Sequence, residues 1–157
     1  MGGAYGIGDS IGFRAGIGLY EEPWINPVEG NITSAYGNRT NPVLDKKEFH
    51  DGIDIGTEKN KDIVAVKSGR VSKRELSYTY GNVVEYEVQG GYTIKYAHCN
   101  EILVKEGDLV EQGQIIATVG NTGLSTGPHL HYSIFRNGLS IDPISYVDLP
   151  ILEEAME

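Results

Sequence analysis

From Asn31 onward, apolar and polar positions alternate in short runs broken by glycine. Val84, Tyr86 and Val88 interleave with Val83, Glu85 and Glu87, the period-two pattern of a half-buried strand. Tyr92, Ile94, Tyr96 and His98 continue the alternation, so a strand that stays extended places all four on one face. Gly90 and Gly91 separate the two runs and mark a β-hairpin turn. Leu109 and Val110 on one side, and Ile115, Ile116 and Val119 on the other, flank Glu111-Gln112-Gly113 in the same way, which predicts a second hairpin. No long segment carries a 3.6-residue period. The pattern predicts a mainly β fold with few or no helices: an antiparallel β-sandwich or open barrel of short strands.

The alternation lapses at both ends. Residues 1–26 read as a glycine-rich lead-in or linker, with seven glycines among the first eighteen residues. A phosphate loop is disfavoured there, because GxGxxG spacing is absent and no strand precedes it. Trp24 is the residue suited to anchor this segment onto the domain. Residues 27–148 form the folded domain, and residues 149–157 a short acidic tail at its periphery.

Composition narrows the class. A chain of 157 residues fits one domain with a real core. Its 39% hydrophobic content, 21 glycines and ten tyrosines suit a β-rich globule with many tight turns. A formal charge of -9 argues against nucleic acid as a partner and gives no electrostatic pull toward an anionic surface. Cys99 stands alone, so it forms neither an internal disulfide nor a cysteine metal cluster, and it is expected to pack as a small hydrophobe. No run approaches the roughly 20 apolar residues of a membrane span. The first basic residue is Arg14, and no basic segment leads into an apolar one, so no secretory signal is visible.

The chemistry lies in the histidines. All four fall in three motifs: His50-Asp51-Gly52-Ile53-Asp54, Tyr96-Ala97-His98 and Gly127-Pro128-His129-Leu130-His131. His50, Asp54 and one histidine of the last pair supply two imidazoles and one carboxylate, the ligand set of a catalytic zinc with one position left for water. His129 and His131 project to the same side of a strand while Leu130 and Tyr132 face the opposite layer, so periodicity does not choose between them. The histidines left over are the acid-base groups of a metal-assisted hydrolysis. Gly52 would leave room for the metal to approach the backbone, and Asp51 would turn toward solvent.

The ordered motifs HxxxD, YAH and GPHLH resemble the M23 (lysostaphin/LytM-type) zinc metallopeptidases, which cut the peptide part of bacterial peptidoglycan. The similarity extends to Ile32-Thr33-Ser34-Ala35-Tyr36-Gly37-Asn38-Arg39, to Val64–Val71, to Tyr80-Gly81-Asn82, to Gly107–Ile116 and to Val119-Gly120-Asn121-Thr122-Gly123, and it spans roughly residues 27 to 147. It implies a duplicated-hybrid-motif-like β fold and one zinc per chain held by His50, Asp54 and His131. It also implies acid-base roles for His98 and His129, and substrate contacts from Tyr36, Asn38 and Arg39 on one groove wall and Tyr96 on the other. The substrate would be a peptide crosslink or bridge of peptidoglycan, met in the cell envelope or outside the cell, within a possible larger envelope or phage assembly. A non-catalytic LytM-like binding or scaffold module is the alternative. Such modules lack one or more metal residues, whereas all of them are present here. The stretch from Gly107 to Gly120 also resembles the hairpins of biotinyl or lipoyl carriers and of sugar-phosphotransfer domains. No lysine follows Lys105 to be modified, and a phosphohistidine domain has no use for His50 with Asp54.

Overall fold

The computed structural model describes residues 22–156 apart from Pro42. The glycine-rich lead-in expected for residues 1–26 therefore lies outside the described residues as far as residue 21. The described strands are β1 (Asn31–Ser34), β2 (Gly37–Thr40), β3 (Lys47–His50), β4 (Ile53–Gly56), β5 (Asp62–Val64) and β6 (Gly69–Ser77). They continue with β7 (Gly81–Val88), β8 (Tyr92–Ile102), β9 (Leu109–Val110), β10 (Ile115–Val119), β11 (His129–Arg136) and β12 (Leu139–Ile141). Two short 3₁₀ turns, Pro143–Tyr146 and Glu153–Met156, are the helical elements among the described residues. The fold is mainly antiparallel β, as the alternation predicts. No helix among the described residues is long and apolar enough to cross a membrane.

The main sheet runs β1-β4-β11-β8-β7-β6-β9, with β12 added to β11, while β2 and β3 form a separate ribbon. Most of β8 lies between β7 and β11, but its last residues pair with β10, which also pairs with β5. Gly90 and Gly91 turn β7 into β8 with positive φ, as their position predicts. The second expected hairpin does not form. β9 pairs with β6, and β10 pairs with β5 and β8, so the two arms diverge after Glu111.

Register sorts the central strands into two faces. Ile53 and Ile55, Leu130, Tyr132 and Ile134, Ile94 and Tyr96, and Val84 and Tyr86 lie together on one face and are buried. Each large apolar side chain so buried contributes roughly 1.5–3 kcal/mol relative to exposure. Ile63, Ala65, Val66 and Ile116 belong to the same core. Tyrosine hydroxyls tie it to the backbone around β5. Tyr86 and Tyr96 share a 2.6 Å hydrogen bond, Tyr96 donates to the Val64 carbonyl, and the Val66 amide donates to Tyr86. Tyr96 is thus a fully buried core residue and cannot form a groove wall. Cys99 lies in the core, where burial pushes its thiol up to about 12. The opposite face carries Asp54, Lys95, Ala97, His131 and Ser133, with His131 directly between Asp54 and Ala97.

Both ends are bound to this frame. Trp24 packs edge-on against Tyr92 and Tyr146. The acidic tail is laid along β1: the Ile32 amide donates to Pro150, the Leu152 amide donates to Ile32, and Ala155 is buried.

Candidate metal centre

The sheet face opposite the core gathers the histidines. His50 ends β3, and Asp54 follows in β4 after a turn at Asp51 and Gly52. Gly52 is required by the backbone of β11, because a Cβ there would collide with the Tyr132 carbonyl and the Ser133 hydroxyl. The space it leaves is filled by that strand and does not serve a metal. His131, in β11, pairs with Asp54 across the sheet.

Three donors converge at one point. His50 Nε2 lies 3.1 Å from Asp54 Oδ1 and 3.1 Å from His131 Nδ1, and His131 Nδ1 lies 3.4 Å from Asp54 Oδ1. The three ligand atoms fall within 4.8 Å of one another. The outer nitrogens fix the tautomers. His50 Nδ1 donates to the Ala35 carbonyl at 2.9 Å, and His131 Nε2 donates to Asp51 Oδ1 at 3.0 Å. Each partner can only accept, so in the neutral rings both inner nitrogens present lone pairs beside a carboxylate. Lone pairs facing each other at this distance suit a cation between them, a proton or a metal ion. Two imidazoles and one carboxylate suit zinc, with a position open for water.

Electrostatics point the same way. Burial alone would raise Asp54, but His131 and His50, whose protonated rings would donate to its carboxylate, hold it well below the usual carboxylate range. Burial alone would lower His131, but Asp51 and Asp54 outweigh it and raise the ring above its ordinary value. The site is built to stabilise positive charge at its centre.

Asp51 was expected to face solvent. Instead it accepts from His131 and from Ser133, and despite burial its pKa falls to about 2 through the His131 contact. A carboxylate that orients a metal-binding imidazole and raises its basicity is a recurrent partner in such sites. Arg39, expected to touch substrate, holds the carboxylate of the cluster: Nη1 donates to Asp54 Oδ2 at 3.1 Å and to Ser34 at 2.8 Å, while Nε and Nη2 engage Glu48. Its guanidinium occupies Asp54 Oδ2 and leaves Oδ1 facing the cluster.

The remaining histidines flank the cluster. His98 Nδ1 donates to the Thr122 carbonyl at 2.5 Å, and His129 Nδ1 donates to the Gly127 carbonyl at 2.9 Å. Both Nε2 atoms are therefore left as acceptors. The two rings lie 4.9 Å apart, and His129 Nε2 is 3.7 Å from Asp54 Oδ1. Burial is the main cause that lowers His98 to about 4, so its ring is neutral at ordinary pH. Tyr80, whose ring centroid lies 5.4 Å from that of His131, completes the surroundings.

The other groove-wall candidates are placed differently. Tyr36 bonds Ser140 through its hydroxyl and packs edge-on against Phe49. Asn38 is exposed and pairs with Phe49, so ribbon alternation puts it on the face away from Arg39 and His50. A cavity of about 470 Å³ opens near Arg74, Leu76, Asn100 and Leu103, and none of its lining residues belongs to the histidine cluster.

Known proteins resemble this chain in sequence and fold. Residues 48–143 match Peptidase family M23. The DD-carboxypeptidase/endopeptidase Mpg of Neisseria meningitidis is 37% identical over 126 residues, covering 80% of this chain and 29% of that protein. A zinc-containing peptidase from Vibrio cholerae superposes with a TM-score of 0.73 at 32% identity, covering 83% of this chain and 41% of that one. A chain of the SpoIIQ-SpoIIIAH pore-forming complex superposes with a TM-score of 0.72 at 27% identity, covering 83% of this chain and 94% of that one. The chain spans less than a third of the length of the curated relatives it matches first. The chain belongs to peptidase family M23.

Proposed function

We propose that this chain is a zinc-dependent endopeptidase that hydrolyses peptide crosslinks or bridges of bacterial peptidoglycan. The observation that carries the reading is the convergence of His50 Nε2, Asp54 Oδ1 and His131 Nδ1, with the outer nitrogen of each ring already committed. A zinc ion held by these three would supply Lewis acidity to the scissile carbonyl and to the attacking water.

The chain's own residues supply the rest. His98 and His129 each present a free Nε2 on the cluster side. One takes a proton at Nε2 as water adds to the carbonyl carbon and returns it to the departing amine, while the other, when protonated at Nε2, steadies the developing oxyanion. Asp51 and Arg39 keep His131 and Asp54 in place throughout. The substrate class places the action in the cell envelope or outside the cell.

The purified chain reconstituted with zinc should hold about one metal ion, and a strong chelator should abolish cleavage of purified peptidoglycan, with zinc restoring it. Mass spectrometry of the products identifies the bond. A second reading, a non-catalytic docking module, draws on the likeness to the SpoIIQ-SpoIIIAH complex. Stoichiometric zinc with no released peptide from any peptidoglycan would favour it.

A further inference from the structure

Lys95 lies in β8 directly opposite Ser133 of β11. Ser133 in turn bonds both His131 and Asp51, so Lys95 stands on the cluster face, one residue pair beyond the metal ligand. His129 and His98 flank the opposite end of the cluster. Across β7 the direct neighbour of Lys95 is Glu85, the obvious ion partner. Among the described residues, however, the Lys95 ammonium forms no ion pair or hydrogen bond. It lies over the Tyr80 ring, 3.5 Å from the centroid. Asp51 is within its field but committed to His131 and Ser133. Burial lowers the Lys95 pKa, as expected of a cation whose desolvation is not offset by a paired carboxylate.

We propose that Lys95, backed by the Tyr80 ring, is the subsite for a free carboxylate of the peptide near the scissile bond. The inference rests on the peptidase reading above and adds a substrate feature to it. One half-buried ammonium matches one monoanion, while Asp51 and Glu85 nearby disfavour a dianion such as phosphate. A chain of net charge -9 offers a peptide carboxylate little general attraction, so a local cation must supply it.

The test reads binding separately from turnover. A crosslinked dimer of stem peptides is prepared with each carboxylate in turn free or amidated. Its affinity for the zinc-loaded His98→Ala chain is measured by calorimetry. Amidation at one position should weaken binding by about tenfold, the scale of one charge-assisted hydrogen bond. In the His98→Ala/Lys95→Met chain the ratio between free and amidated peptides should collapse to near one, and Lys95→Arg should retain it. Zinc content and thermal unfolding verify that each variant is folded. Equal affinity for all peptides, or a preference that survives Lys95→Met, overturns the subsite. Failure of the peptidase reading would show elsewhere, as zinc-loaded wild-type chain that cleaves none of the dimers.

Discussion

At the scale of single residues, the sorting of four histidines turns on what each outer ring nitrogen does. Alternation along β11 puts His129 and His131 on one side and stops there. The geometry favours His131 as the ligand, because its Nδ1 meets His50 Nε2 at 3.1 Å and its Nε2 is held by Asp51. His129 is tied to the Gly127 carbonyl and stands farther from Asp54. Alanine at His50, Asp54 or His131 should therefore remove zinc and activity together. Alanine at His98 or His129 should keep zinc while turnover falls roughly 10²–10⁴-fold. Metal analysis beside a cleavage assay separates the groups, and His129→Ala stripping zinc while His131→Ala keeps it would reverse the assignment. The depressed His98 pKa adds a pH signature. With His98 as the base of the pair, its neutral ring is competent, so activity of the zinc-loaded chain should persist at pH 5.5, where an ordinary imidazole is about nine-tenths protonated. It should be lost as pH falls through about 4, the value burial gives His98. The same shift opposes folding with a charged ring, so the stability it withholds is lost as pH drops from the ordinary imidazole value toward that limit. An acid limb of kcat/KM at the ordinary imidazole value, with zinc still bound, would sink His98 as the base. His50 and Asp54 were legible as candidate ligands because they share one short motif, whereas the choice of His131 over His129 rested on the family resemblance. Asp51, Arg39 and Tyr80 were misread or passed over because their partners come from other strands, and one sequence does not give the register that joins them.

At the scale of elements, the instructive failure is β8. Period two assigns Tyr96 and His98 to one face, yet Tyr96 enters the core and His98 joins the cluster. The strand departs from regular pairing between Asn82 and Val84 of β7, and His98 itself adopts φ of 60°. Such a bulge re-aims one side chain and recurs beside active sites. It is stabilised by two segments distant in sequence. The His98 amide donates to Tyr80, and its ring donates to Thr122. Thr122 also accepts from the Asn82 amide and donates to Cys99. Gly81 and Gly123, both at positive φ, let these segments touch: a Cβ on Gly81 would collide with Thr122, and one on Gly123 with the Gly81 amide. The Tyr80-Gly81-Asn82 and Asn121-Thr122-Gly123 motifs thus serve one imidazole. Gly123→Ala should cost roughly 1–3 kcal/mol from backbone strain and displace the Thr122 carbonyl from His98. Zinc content should be unchanged while cleavage falls. A variant with wild-type turnover would show that Thr122 does not position His98.

At the scale of the whole molecule, the ends of the described chain close the domain, although composition assigns them to a linker and a peripheral tail. Apolar periodicity is blind to such docking, because each end contributes only a few anchors. Glu22 accepts from the Ser68 amide and hydroxyl, and Gln112 donates to both Pro23 and Val66, which places the entering segment on the β5–β6 connection. Trp24 then packs edge-on to Tyr146 at 4.6 Å and Tyr92 at 5.1 Å, with Lys67 over its own ring and Arg136 over Tyr92. Each aromatic pair contributes about 0.5–1.5 kcal/mol beyond its buried area. Trp24→Ala should therefore destabilise the fold by roughly 2–3 kcal/mol once partial burial of the indole is included. Tyr146 joins the 3₁₀ turn that follows β12, so the same contacts hold both ends of the domain together. Tyr146→Ala should cost less in the Trp24→Ala background than alone, a coupling of at least about 0.5 kcal/mol. Denaturant unfolding of the four chains measures it. The cluster lies on the other face of the sheet, so all four should bind zinc equally. Strict additivity would mean that the Trp24–Tyr146 contact does not link the two ends, and a Trp24→Ala chain as stable as wild type would put the entering segment outside the domain.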